Sequence, residues 1–200
     1  MNIGLFGGTF DPPHIGHLVL AEYACSELRL DTIYFIPNYI SPFKKMNASQ
    51  IQQSVPHAEA STRCELVELA IVGNKKFHAE YSEARRKDVS YTVDTVRLFA
   101  ERFPDDMLFI IMGADAFQDF HLWKEPDAIV QLASVAVAKR PGVELQLDVH
   151  PYGKFVKEFP IPQIDISSTE IRERIRQGKS IQYLVPWTVQ TCIEAERLYR

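Results

Sequence analysis

Six short β-rich runs alternate with six helical patterns along these 200 residues, and that alternation leaves few architectures open. The β-rich runs cover residues 3–6, 32–36, 77–81, 107–112, 134–138 and 160–164. Helical periodicity covers 15–28, 61–72, 92–102, 126–132, 169–177 and 187–195. Strand followed by helix, repeated, predicts an α/β fold built on a doubly wound parallel sheet. The run Leu108-Phe109-Ile110-Ile111-Met112 is apolar throughout, as suits a strand covered by helices on both faces. In such sheets ligands sit beyond the carboxyl ends of the strands, where the strand order reverses. The length predicts one domain over 1–200, with 167–200 as its C-terminal helical part.

Composition removes several function classes. A net charge of −4 argues against a nucleic-acid coat protein, so a nucleotide ligand would be a small one. Cys25, Cys64 and Cys192 are scattered and odd in number, which predicts neither a disulfide framework nor a thiolate metal site and suits a reducing compartment. Met1 leads into a strand pattern rather than a basic-then-apolar signal, and no apolar run reaches membrane-spanning length. A cytoplasmic protein without membrane partners is expected, its oligomeric state open between monomer and homo-oligomer. Residues 39–60 are polar, contain Pro42 and Pro56, and read as a long loop of the kind that is usually functional or mobile.

Chemistry concentrates behind the first strand, in Gly7-Gly8-Thr9-Phe10-Asp11-Pro12-Pro13-His14-Ile15-Gly16-His17. Glycines let backbone approach a ligand closely. The P-loop lysine is missing, and so is the spacing of the dinucleotide fingerprint. Asp11-Pro12-Pro13 reads as the start of a helix, a capping-type side chain followed by proline. Such a start aims N–H groups and the positive end of the helix dipole at an anion. His14 and His17 share a face of its first turn. Three roles are open to them: metal ligands lacking an evident third partner, structural histidines, or donors to phosphate oxygens in a charged transition state. A second helix start, Ser167-Ser168-Thr169-Glu170-Ile171-Arg172, has capping-box spacing from Ser167 to Glu170 and sets hydroxyls and a guanidinium within one turn, which suits an anion but by itself equally describes a plain capped amphipathic helix.

The tetrad His14-Ile15-Gly16-His17, with that second start, resembles the HIGH-type nucleotidyltransferase superfamily. Within it the chain is similar, over nearly its whole length, to the bacterial nicotinate-mononucleotide adenylyltransferases. The resemblance rests on GGTFDPPHIGH, Ile36-Pro37-Asn38, Ser90-Tyr91-Thr92, Gly113-Ala114-Asp115, Trp123, Lys139-Arg140-Pro141-Gly142, residues 166–174 and Leu184-Val185-Pro186, in that order. It implies a Rossmann-like fold and transfer of AMP from ATP to nicotinate mononucleotide, giving deamido-NAD and pyrophosphate. His14, His17 and Arg172 would be catalytic. Gly7, Gly8, Thr9, Phe10, Gly113, Asp115, Arg140, Ser167, Ser168 and Thr169 would join them in binding ATP. Asn38, Lys44, Ser90, Tyr91, Thr92, Trp123 and Lys124 would bind the mononucleotide, with Trp123 stacked on the pyridine and N–H groups near Thr92 and Lys124 reading its carboxylate. Mg²⁺ is implied as cofactor, held by phosphates and water with no protein side chain as ligand. Phe43 stands where the family usually has a histidine, and Asp88-Val89 where it has Gly-Pro. Two rivals remain: an adenylyltransferase of the same superfamily acting on nicotinamide mononucleotide or phosphopantetheine, and a nucleotide-binding regulator without turnover.

Overall fold

A computed structural model describes residues 1–42 and 56–200. Its β-strands are β1 (Asn2–Gly8), β2 (Thr32–Pro37), β3 (Phe77–Ala79), β4 (Met107–Gly113), β5 (Ser134–Lys139) and β6 (Val156–Pro160). The helices used below are α1 (Ile15–Glu27), α2 (Ala60–Ile71), α3 (Ser82–Arg86), α4 (Thr92–Arg102), α5 (Ala114–Gln118), α6 (Pro126–Leu132), α7 (Ser168–Arg176) and α8 (Trp187–Ala195). The six strands form one parallel sheet in the order β3-β2-β1-β4-β5-β6. The order reverses between β1 and β4, which is where a doubly wound sheet places its ligand crevice.

Contacts divide the chain into two compact units. The first comprises Met1–Gly7, Leu20–Tyr34 and Tyr91–Gln163. Its centre is the run read from the sequence as a strand covered on both faces: Leu108 to Met112 are all buried, as are Val135 to Ala138 beside them. Gly4 on β1 is enclosed there. A Cβ on it would stand 2.8 Å from Ile111 Cδ1 and 2.9 Å from Leu30 Cδ1, so the close packing of strand and side chains depends on its absence. In this unit α4 packs on α6. The second unit comprises Gly8–Val19, Phe35–Ser90 and Ile164–Arg200, with a core that includes Phe10, Phe35, Leu66, Val67, Ile171, Val189 and Ile193. In it α2 packs on α8.

The last strand lies earlier than the sequence reading put it, at Val156–Pro160 instead of 160–164. It pairs with β5 from Val135↔Val156 to Lys139↔Pro160, and Ile161 N–H adds one bond to the Lys139 carbonyl. Pro160 and Pro162 have no N–H to give a ladder, so the apolar stretch beyond them cannot continue it. Among the described residues, no helix is long and apolar enough to cross a membrane.

Candidate active site

In the second unit the glycine loop, the start of α1 and the start of α7 are tied together. Backbone N–H of His14 donates to His17 Nδ1 at 3.2 Å, and the two imidazoles stack with centroids 3.7 Å apart. Gly16 makes room for this arrangement, since a Cβ there would meet Cε1 and Nδ1 of the His14 ring at 3.0 Å. Phe10, 2% exposed, supports His17 from beneath with a ring-edge contact at 5.0 Å. Burial pushes His14 down to about 4, and burial together with the neighbouring imidazole holds His17 well below the ordinary histidine value. Both rings are therefore neutral near pH 7. Because His17 Nδ1 accepts a hydrogen bond, its ring carries the proton on Nε2, where it can be donated to an anion. His14 Nδ1 is buried and has no hydrogen-bond partner.

The start of α7 is capped as its spacing predicts: Glu170 N–H donates to Ser167 Oγ at 3.1 Å. Ser168 Oγ donates to the Pro12 carbonyl at 2.8 Å, and Arg172 Nη1 to the Asp11 carbonyl at 2.7 Å. Arg172 Nη2 donates to Thr169 Oγ1, while Arg172 Nε is buried without a partner. The two helix starts named in the sequence thus meet at the Asp11-Pro12 backbone.

Asp11 differs from its reading as the cap of α1. Its carboxylate accepts from His57 N–H at 2.7 Å and Ala58 N–H at 3.1 Å, and α1 begins four residues later with Ile15 N–H bonded to the Leu184 carbonyl. Burial, then the nearby Asp11 charge, pushes the Tyr199 phenol up. Arg63, which the sequence reading passed over, is 1% exposed and donates to three carbonyls, Thr9, Tyr39 and Ala58, at 2.8, 3.2 and 3.2 Å. A signal for it exists. Arg63 shares the helical register of the apolar stripe Leu66, Val67, Ala70 and Ile71, where a charge needs buried partners.

Of the remaining residues read from the sequence, Gly7 is exposed with no atom within 4 Å of where a Cβ would stand, and a Cβ on Gly8 would meet the Phe10 ring at 2.9 Å. Thr9 Oγ1 accepts from Asn38 Nδ2, leaving Asn38 Oδ1 buried and unpartnered. Ser90 is buried, and its hydroxyl accepts from Tyr39 N–H at 2.9 Å. In the first unit Gly113 closes β4, Asp115 is exposed in the first turn of α5, and Arg140 is exposed just past β5. Trp123 is half-buried with its ring 5.2 Å from that of Phe120. Tyr91 and Thr92 begin α4, where Lys124 Nζ lies 4.4 Å from the Tyr91 ring centre and 3.7 Å from Asp94 Oδ1. Lys44 lies outside the described residues.

Residues 5–174 match the cytidylyltransferase-like family. The nicotinate-nucleotide adenylyltransferase of Bacillus subtilis is 39% identical over 197 residues, covering 98% of this chain and 97% of that protein. A Geobacillus thermodenitrificans protein described as a probable nicotinate-nucleotide adenylyltransferase is 41% identical over 98% of this chain and 85% of its own length. The structure of Plasmodium falciparum nicotinic acid mononucleotide adenylyltransferase complexed with NaAD is similar with a TM-score of 0.74 and 19% identity, over 99% of this chain and 97% of that one, a likeness of fold.

Proposed function

The chain belongs to the nicotinate-nucleotide adenylyltransferases of the cytidylyltransferase-like family, and from that we propose that it transfers AMP from ATP to nicotinate mononucleotide, giving deamido-NAD and pyrophosphate in NAD biosynthesis. The observation that carries this reading is the stacked pair His14 and His17, held neutral in the same unit as the Ser168, Thr169 and Arg172 donors. Neutral imidazoles and hydroxyls suit a polyphosphate whose negative charge grows during reaction.

A phosphate oxygen of the mononucleotide attacks the α-phosphorus of ATP in line, the bond to the β-phosphate oxygen breaks, and pyrophosphate leaves. No group on the protein becomes covalently attached. The work of the protein is to position the reactants and stabilise the leaving phosphates. His17 Nε2–H, His14 and Arg172 take the ATP phosphates. Gly7, Gly8 and Thr9 supply close backbone. The buried, unpartnered Asn38 Oδ1 supports a contact to a substrate hydroxyl.

In the first unit, Asp115 and Arg140 are assigned to the nucleotides, and Trp123 to the pyridine face, where a flat aromatic suits a flat ring. The start of α4 at Thr92 supplies N–H donors that favour carboxylate over carboxamide.

The donor set also suits Mg²⁺ arriving with the triphosphate. The groups on offer bind anions, and the Asp11 carboxylate is already engaged by two backbone N–H groups. Among the described residues, no group of three or more His, Cys, Asp or Glu is placed to hold an ion. Mg²⁺, when bound, neutralises phosphate charge.

Pyrophosphate release with ATP and Mg²⁺, offering nicotinate and nicotinamide mononucleotides in parallel, tests this reading. Strong preference for the acid is expected. Equal use of both removes the carboxylate readout at Thr92, and release with neither removes the proposed reaction.

A further inference from the structure

We propose that Arg63 is a positioning residue for this transfer, acting through the backbone of the glycine loop and of the loop after β2. The inference rests on the adenylyltransferase reading for its kinetic consequences, while its geometry stands by itself.

A guanidinium 1% exposed must satisfy its donors inside the protein, and Arg63 does so on carbonyls from three separate stretches. Nη1 holds Thr9 in the glycine loop, Nη2 holds Tyr39 after β2, and Nε holds Ala58 just before its own helix. Burial lowers the guanidinium from its ordinary value, and the Asp11 charge acts in the opposite direction. Asp11 repeats the pattern with opposite sign, since its carboxylate takes N–H groups from His57 and Ala58 and its carbonyl takes Arg172.

Each loop that Arg63 grips is also gripped at a neighbouring atom. Asn38 N–H donates to the Gly8 carbonyl at 3.0 Å, Asn38 Nδ2 to Thr9 Oγ1 at 3.3 Å, and Tyr39 N–H to Ser90 Oγ at 2.9 Å. The arginine thus closes a ring of bonds around Thr9, Asn38 and Tyr39, two of which are assigned to substrates. By holding the Thr9 and Tyr39 carbonyls together, Arg63 sets the spacing between the ATP loop and the mononucleotide loop. Only a planar fork with donors in three directions fits all three carbonyls. A lysine ammonium keeps the charge beside Asp11 but not this geometry.

The test compares wild type with Arg63→Lys, Arg63→Met and Arg63→Ala. A displacement of reacting groups by about 1 Å can cost about 100-fold in rate. Arg63→Met is therefore expected to lose about 100-fold in kcat at saturating substrates and Arg63→Lys about 10-fold, both assayed well below their Tm. Guanidinium ion added to Arg63→Ala should restore part of kcat and should do nothing for a His17 variant. Amide exchange, read without turnover, should quicken at residues 8–12 and 38–41 in Arg63→Lys while the cores of both units keep their protection. Wild-type kcat and KM in Arg63→Lys and Arg63→Met overturn the proposal, even if Tm falls. So does unchanged exchange in the two loops. Should Arg63→Ala and Arg63→Met fail to fold, Arg63→Lys decides alone by the same two readouts. Failure of the adenylyltransferase reading looks different: wild type itself releases no pyrophosphate, and the exchange result still decides the positioning role.

Discussion

His14 and His17 can carry little positive charge between them, because burial favours both neutral rings and the neighbouring His14 adds to the effect at His17. His14 is pushed from 6.5 to about 4 on folding, so within that window the unfolded chain binds more protons than the folded one. Stability is therefore full above pH 6.5 and falls as the pH drops toward about 4, by roughly 3 kcal/mol if the whole shift is expressed. That corresponds to about 6–12 °C in Tm for a chain of this size. Thermal unfolding across this range should show the loss in wild type and a shallower one in His14→Gln; parallel curves would remove His14 as the cause. For the chemistry, His17→Ala is expected to lower kcat by about 10²–10³, roughly 3–4 kcal/mol, and wild-type turnover in steady-state assays would remove the phosphate-donor role. What is legible in the sequence is the pairing, since the three-residue spacing sets both histidines on one face of a helix's first turn, while the spacing by itself leaves metal ligation, structure and phosphate donation open. Arg63 is not legible, since helical periodicity alone assigns 61–72 without asking what a charge does on the buried stripe. Asp11 misleads for a related reason: capping by type is local, while its partners stand 46 and 47 residues away.

At the scale of elements, the start of α1 is shaped for its histidines rather than for helix stability. Alanine normally favours a helix over glycine by about 1 kcal/mol. At Gly16 its Cβ would press on the His14 ring at 3.0 Å. Gly16→Ala should thus keep or raise Tm while lowering kcat by about 10-fold or more, the sign expected where function and stability compete. A variant that is both as stable and as active as wild type would show the ring free to move. The start of α7 gives the complementary case. Ser167 Oγ caps the helix through Glu170 N–H, so Ser167→Ala should cost about 1 kcal/mol, or about 2–4 °C in calorimetry. Helices α4, α6 and α8 coincide with their sequence ranges because periodicity and start signals agree there. The final strand does not, since an apolar count sees Ile161 and Ile164 but not that the flanking prolines lack the N–H groups a ladder needs.

For the whole molecule, alternation of strand and helix predicts a parallel α/β sheet, but not its order, because several doubly wound orders satisfy the same periodicity. Nor does it reveal the two units, whose boundaries cut through elements instead of falling in linkers. Leu20 divides α1, and Phe35 divides β2. That division bears on how the chain unfolds. Each unit is assembled from three separate stretches, so neither can be excised as a continuous fragment. Helix α1 and strand β2 each contribute residues to both units, so a unit that melts takes with it part of an element the other holds. The single domain read from the sequence over 1–200 is therefore proposed to unfold in one cooperative transition. Trp123, half-buried in the first unit, makes this measurable, whereas Trp187 in the second is 76% exposed and already solvated. In Trp187→Phe, fluorescence follows Trp123 alone, while far-UV dichroism follows the helices of both units. The denaturant midpoints of the two signals should coincide. If the Trp123 signal moves at a different denaturant concentration from the dichroism in its own variant, the units unfold separately and the single-domain reading falls.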